Sequence, residues 1–213
     1  AYAFCIAKAY ADDVIGRGLH VDEFAGRLSY NFNLFGNLFE QVAKFRAGRG
    51  LWAKIIKEDY GAEDPRSMWL RMIAGGGGGG LTFEQPEVNI MRGAYYALIS
   101  ALSGTQTMAL CSYDEAYTIP TEYSARISLR TMQLLMDEMG LCDTVDPLAG
   151  SYYVETLTNQ MREKMEAVMA EVEAEGGIVE MVKDGRIQAK VSKQAYDMHR
   201  DIESGAFPKV GVN

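Results

Sequence analysis

Three short segments with strand character, each followed by a longer stretch with helical spacing, leave this chain few possible architectures. Arg27 to Asn33 alternates, with Leu28, Tyr30 and Phe32 on one face and Arg27, Ser29, Asn31 and Asn33 on the other. Phe35, Leu38, Val42, Phe45, Trp52 and Ile56 then recur at helical intervals up to Tyr60-Gly61, with Gly48 and Gly50 as points where that helix can kink. A second strand is expected at Met68 to Ala74. The helix after it is capped by Thr82 or Gln85, holds Pro86 in its first turn, buries Val88, Met91, Tyr95, Leu98 and Leu102, and stops at Gly104. Gln106 to Cys111 reads as the third strand. Thr121 to Met139 reads as the third helix, with Ala125, Leu129, Met132, Met136 and Met139 on its apolar face and Gly140 as its stop. Strict alternation of strand and helix calls for parallel strands joined by crossover helices.

The flanks are helical. Residues 2–18 open the chain as a helix ended by Gly16 and Gly18, and beyond Asp146-Pro147-Leu148-Ala149-Gly150 only helices are expected, at 154–175 and about 189–203, before the tail Gly205 to Asn213. The expected fold is α/β: a partial (β/α) barrel over residues 1–150 with a helical extension over 151–213. A start without Met, already inside a helix, reads as a piece of a longer protein.

Between the second strand and its helix lie six consecutive glycines, Gly75 to Gly80. Ordering them costs on the order of 6–12 kcal/mol, at roughly 1–2 kcal/mol each, so the run is either a flexible connector or a place where bare backbone closely approaches a bound ligand. It contains G-x-G-x-x-G only as any glycine homopolymer does, and no Lys-Ser/Thr follows, so it is no P-loop.

Composition narrows the function. The chain has 213 residues, 48% of them hydrophobic, enough for a sizeable core. With 21 basic and 29 acidic residues the net charge is −8, which argues against nucleic acid or an anionic membrane as the main partner. The three cysteines, Cys5, Cys111 and Cys142, show no C-x-x-C spacing and read as reduced thiols in a cytoplasmic protein. No apolar stretch reaches the roughly 18 residues of a membrane span.

In an α/β barrel the chemistry gathers at the carboxyl ends of the strands. Arg27 and Ser29 share a strand face and can meet one polar or anionic group, or Arg27 serves a structural ion pair. Gln106 and Thr107 open the third strand with uncharged hydrogen-bonding groups. Asp114 and Glu115 follow it, as ligand-facing carboxylates or as a solvated turn. The only histidines, His20 and His199, have no nucleophile or metal cluster near them in sequence, which disfavours histidine acid–base chemistry and a zinc site. A polar barrel without its own acid–base machinery points to a cofactor that carries the hard step.

Several blocks, in order, identify a family resemblance: Phe24-Ala25-Gly26-Arg27-Leu28-Ser29, Val42 through Trp52, Gly104-Thr105-Gln106-Thr107, Tyr113-Asp114-Glu115-Ala116, Ile119-Pro120-Thr121-Glu122, and Asp146 through Glu155. Over essentially its whole length the chain resembles the large subunit of methylmalonyl-CoA mutase and related acyl-CoA mutases. The resemblance implies adenosylcobalamin-dependent radical 1,2-rearrangement of an acyl-CoA skeleton, in a TIM barrel with CoA threaded along its axis and the corrin over one end. It also implies partners: the remainder of the barrel and a cobalamin-binding domain or subunit, in an oligomer.

Carried across by position, Arg27, Ser29, Ile73, Gly75, Gln106 and Thr107 correspond to CoA-binding positions, and Gly78, Gly79, Glu115 and Ala116 to cobalamin-lining ones. In the family the glycine loop runs close to His-x-Gln-Thr-Ser/Ala-Gly-Trp. Here Ile73 stands for the His, Gly75 for the Gln and Gly79 for a frequent Trp, and only Gly78 is retained. The lost side chains free volume, which implies an acyl group bulkier or more apolar than methylmalonyl. The cobalt-ligating Asp-x-His-x-x-Gly motif is absent; Asp197-Met198-His199-Arg200-Asp201-Ile202 fails at the glycine. A non-catalytic assembly or chaperone-like subunit that kept the fold is the alternative.

Overall fold

The computed structural model describes residues 1–213. Three parallel strands, β1 (Tyr30–Leu34), β2 (Met72–Gly76) and β3 (Thr107–Leu110), form one sheet in the order β1-β2-β3. Asn31 is in register with Ile73 and Thr107, and Asn33 with Gly75 and Ala109. The crossovers carry α3 (Leu38–Lys54) and α4 (Val88–Leu102). Before β1 come α1 (Tyr2–Gly16) and the single turn α2 (Val21–Phe24); after β3 come α5 (Glu122–Gln133), α6 (Tyr152–Ala174), α7 (Ile178–Lys183) and α8 (Arg186–Glu203). No helix is long and apolar enough to cross a membrane. The expected mixed α/β architecture with parallel strands is present, as three strands of a sheet whose two outer edges have no neighbour.

Strand starts fall later than alternation implied. Ala25–Arg27 is a 3-10 turn, so Arg27 and Ser29 precede β1. Pro65–Met68 is another, entered through Asp64, whose side chain accepts from the Arg66 N–H at 2.9 Å. β2 consequently begins at Met72 and takes in Gly75 and Gly76, and Gly78–Gly80 form a 3-10 turn. The run is ordered, and none of its six glycines has a positive φ.

Close approach accounts for part of it. A Cβ on Gly76 would stand 2.9 Å from Leu110 Cδ1 and 3.3 Å from Tyr96 Cβ; one on Gly80 would collide with the Tyr96 hydroxyl and lie 3.1 Å from Phe35 Cβ. These contacts come from the protein itself, on the covered side of the sheet. A Cβ on Gly79 would meet nothing within 4 Å.

That covered side is the core. Leu34, Met72 and Ala74 pack with Phe45, Trp52 and Ile56 and with Tyr96 and Ile99. α3 starts at Leu38, because the Asn37 side chain caps it, and runs through Gly48 and Gly50 without a kink into a π turn at Ile55–Asp59. Phe35 is left outside it and half exposed. In α4 the buried residues are Asn89, Gly93, Tyr96 and Ile99 rather than Met91 and Tyr95, which are exposed. The helix begins after Glu87 with no side-chain cap, so neither Thr82 nor Gln85 caps it; Thr82 instead donates its hydroxyl to the Glu84 carbonyl at 2.9 Å, and Gln85 has a positive φ. In α5 the buried residues are Ser124 and Ser128 and Leu129 is exposed; Met136, in the π turn Leu134–Glu138 that follows, and Met139 just after it are exposed as well. Ser128 donates to the Cys111 carbonyl, so the polar face docks on the sheet.

Arg46 of α3 fastens the helical extension. Its guanidinium bonds Asp146 and, at 2.5 Å, Glu155 Oε1, which also accepts the Gly150 N–H at 3.0 Å. Three residues on, Arg49 donates to the carbonyl of Ser103 at 2.5 Å, closing the end of α4.

Two expectations follow. Gly76→Ala or Gly80→Ala should lower the unfolding free energy of the protein by about 1–3 kcal/mol through overpacking, whereas Gly79→Ala should raise it by about 0.4–1 kcal/mol by restricting the unfolded chain. Urea denaturation distinguishes fit from flexibility: equal effects at all three positions would contradict the packing account. The Gly150 N–H and Arg46 hold the Glu155 carboxyl below the usual range. Its contribution is therefore complete above the ordinary carboxylate value, about 4.3, and is lost as pH falls through the depressed folded value. Thermal melts from pH 7 to 3 should show a loss that Glu155→Gln reduces, and Arg46→Ala, which removes the partner of both Asp146 and Glu155, should lower the melting temperature at pH 7 more than Glu155→Gln does.

Candidate functional site

α3 and α4 cover one face of the sheet, and the other face is open. It carries Asn31 and Asn33 from β1, Ile73, Gly75 and Gly77 from β2 and its end, and Thr107, Ala109 and Cys111 from β3 and its end. Apart from Gly75, which lies midway along β2 and outside both groups, the residues that sequence pointed to are divided between the two ends of this face. At roughly 3.3 Å per residue, four steps of strand separate them by about 13 Å.

The first group surrounds the amino ends of the strands. A cavity of about 410 Å³ there is lined by Ser29, Asn31, Arg71, Ile73, Gln106 and Thr107, among others. Ser29, Ile73, Gln106 and Thr107 are thus brought together. Arg27 is not in that lining; it sits in the preceding 3-10 turn with its side chain exposed. Arg71, which sequence reasoning passed over, is in the lining, steadied by its Nη1 bond to the Gly26 carbonyl at 2.7 Å. A charged residue inside the apolar run Met68 to Ala74 was the signal available for it.

Gln106 has a structural task that its position did not reveal. Its Oε1 accepts from the Met72 N–H at 2.9 Å and its Nε2 donates to the Leu70 carbonyl at 3.2 Å, so the side chain pairs with β2 as a further rung of the sheet. One N–H of its carboxamide is left for a ligand.

The second group lies at the carboxyl ends. Gly78 and Glu115 meet: a Cβ on Gly78 would stand 3.8 Å from Glu115 Oε2. Ala116 follows in the same turn, half-buried, and Gly79 presents exposed bare backbone. The two adjacent carboxylates separate. Asp114 is buried and accepts from the Thr121 N–H at 3.3 Å, holding the start of α5, while Glu115 is exposed toward the open face. Asp114 Oδ1 is buried without a partner.

Cys111 sits in this group. Burial, and then its hydrogen bond to Glu115, push its thiol up to about 12, with the Gly78 N–H pulling the other way. It stays protonated at neutral pH and is no nucleophile. Lys44 reaches the last turn of β1 from α3, donating to the Asn33 carbonyl at 2.9 Å; burial brings its ammonium down to about 8, partly countered by Glu40.

Neither histidine belongs to the face. His20 caps α2 through the Asp22 N–H, and His199 is exposed on α8, 3.2 Å from Glu203. No group of three or more His, Cys, Asp or Glu side chains is placed to hold a metal ion.

The arrangement is an elongated polar trough, cationic at one end, narrow in side chains along the middle, and bare at the other. Comparison with known proteins gives the family. The family model described as Methylmalonyl-CoA mutase matches residues 1–213. The 2-hydroxyisobutanoyl-CoA mutase large subunit of Aquincola tertiaricarbonis is 42% identical over 99% of this chain and 38% of its own length. The methylmalonyl-CoA mutases of Cereibacter sphaeroides and Escherichia coli are 41% and 37% identical, over 100% and 99% of this chain and 30% of their own lengths. The chain therefore spans between about 30% and 38% of the length of these relatives. With a family match along every residue, this chain belongs to the methylmalonyl-CoA mutase family.

Proposed function

We propose that this chain forms part of an adenosylcobalamin-dependent acyl-CoA mutase, residues 1–150 supplying strands and helices of its substrate barrel and 151–213 the helical segment toward a cobalamin-binding domain or subunit. The observation that carries the reading is the division of the open face into two ends about 13 Å apart, with one long ligand able to span them. Its first end offers Ser29, Arg71 and Thr107 to the anionic and polar parts of CoA. Gln106 acts there mainly by fixing the start of β2.

The far end fits a large flat group. Gly79 has room for a Cβ and lacks one, and Gly78 has only an ordinary contact with Glu115. Gly78, Gly79, Glu115 and Ala116 would line the corrin. Adenosylcobalamin, when bound, supplies the radical that starts the 1,2-rearrangement. The chain's own residues bind and orient the acyl-CoA and keep water from it. Cys111 holds its proton and stays inert beside them.

The unpaired edges of β1 and β3 present free N–H and C=O groups, a liability unless another strand meets them. Further barrel strands are the partners that suit them, and the exposed apolar face of α5 lies beyond one of these edges. A cytoplasmic setting suits the free thiols Cys5, Cys111 and Cys142.

The full-length protein with its cobalamin-binding partner, given adenosylcobalamin and a panel of acyl-CoAs, should produce an isomerised acyl-CoA. Absence of both turnover and a bound-cobalamin spectrum would favour an assembly role instead. Gly79→Glu should not lower the melting temperature, since a Cβ there meets nothing within 4 Å, and should weaken cobalamin binding by about tenfold or more by placing a charge against a large apolar ring, read from the cobalamin absorption spectrum. Unchanged affinity would remove Gly79 from the corrin-facing wall.

A further inference from the structure

Asn31 and Asn33 stand exposed on the open face of β1. Neither carboxamide is hydrogen-bonded within the protein; the bond at Asn33 is made by its backbone carbonyl, to Lys44. Their oxygens lean across β2. A Cβ on Gly77 would stand 3.0 Å from Asn33 Oδ1, and one on Gly75 would stand 3.8 Å from Asn33 Oδ1 and 3.9 Å from Asn31 Oδ1. A side chain at 77 would push Asn33 aside, so the inward glycines and the asparagines are one arrangement: β2 is stripped so that two carboxamides can lie over it.

Asn31 also lines the cavity at the amino end, in register with Ile73 and Thr107, while Asn33 lies level with Gly75 and Ala109. The ionisable groups of the face are at its ends, Arg71 below and Cys111 and Glu115 above. The middle is neutral, and each carboxamide there both donates and accepts. A hydrocarbon laid against such groups strips their water without replacing it, a loss of about tenfold in affinity for each unmade bond. A carboxylate would find no cation beside them. A hydroxyl, donor and acceptor in one small neutral group, satisfies both.

We propose that Asn31 and Asn33 are specificity determinants that select an acyl-CoA whose acyl group carries a hydroxyl. This rests on the acyl-CoA reading of the open face and makes the ligand roomier without making it more apolar. The carboxamides touch the acyl group and leave the chemistry to the cofactor.

Equilibrium binding tests it, on the full-length protein with its cobalamin-binding partner and adenosylcobalamin. 2-Hydroxyisobutanoyl-CoA is compared with isobutanoyl-CoA, and 3-hydroxybutanoyl-CoA with butanoyl-CoA. At least one hydroxylated member should bind about tenfold more tightly than its hydrocarbon twin. Combined Asn31→Ala and Asn33→Ala should bring that ratio near one while the hydrocarbon twin keeps its affinity within about twofold, which also shows that the variant is folded. Equal affinities in the unsubstituted protein overturn the proposal, as does a ratio that survives the substitutions. A uniform loss across all four ligands also overturns it, by assigning the asparagines to the CoA arm. Those outcomes leave the acyl-CoA reading standing; failure of all four and of CoA itself to bind overturns both.

Discussion

The contact between α4 and the glycine segment governs how the rest of the molecule is arranged. Tyr96, only 6% exposed, fills the space that side chains on Gly76 and Gly80 would need, with Leu110 and Phe35 closing the same gap. Because the helix comes so near on the covered side, β2 is held as the middle strand while its opposite side remains bare. The entropy of ordering glycine is offset by burial of large apolar groups, among them Ile99, Met72 and Leu34. A tight covered face and an empty open face are two sides of one strand.

Much of this was readable from residue order, because alternation of period two and period 3.6 depends on which residues are apolar and little else. Parallel topology and three strands followed from it. Boundaries were less legible. Arg27 and Met68 look like strand residues but lie in 3-10 turns, where local caps such as Asp64 outweigh the apolar pattern. The faces of α4 and α5 were misjudged for another reason: which side of a helix is buried depends on its neighbours, and α5 docks with serines while its Tyr123 and Leu129 are exposed. In the site, periodicity could say which side chains share a face, and the family resemblance assigned roles. Neither could show that Gln106 is occupied by β2, that Asp114 turns inward while Glu115 turns outward, or that Arg71 enters the lining.

The recognisable sequence blocks acquire a physical reason once folded. Arg46 and Arg49 belong to one block, and their partners, Asp146 and Glu155 in one case and the end of α4 in the other, belong to or border two more. A half-buried guanidinium with two carboxylates tolerates little change at either end, and Asp146 adds the constraint of a positive φ. Segments about a hundred residues apart are thereby tied to the same helix.

The tail makes a comparable long-range tie. Lys209 Nζ donates to the Gly80 carbonyl at 2.6 Å across 129 residues, Arg92 bonds the Val210 carbonyl, and Phe207 to Val210 line a groove against α4. A ribosome makes residue 80 long before residue 209, at about 5–20 residues per second. For the several seconds between, the last glycine of the turn has no lysine to hold it. The Gly80 carbonyl is thus left without its lysine partner until residue 209 has been made, and the glycine turn is latched by a segment synthesised long after it.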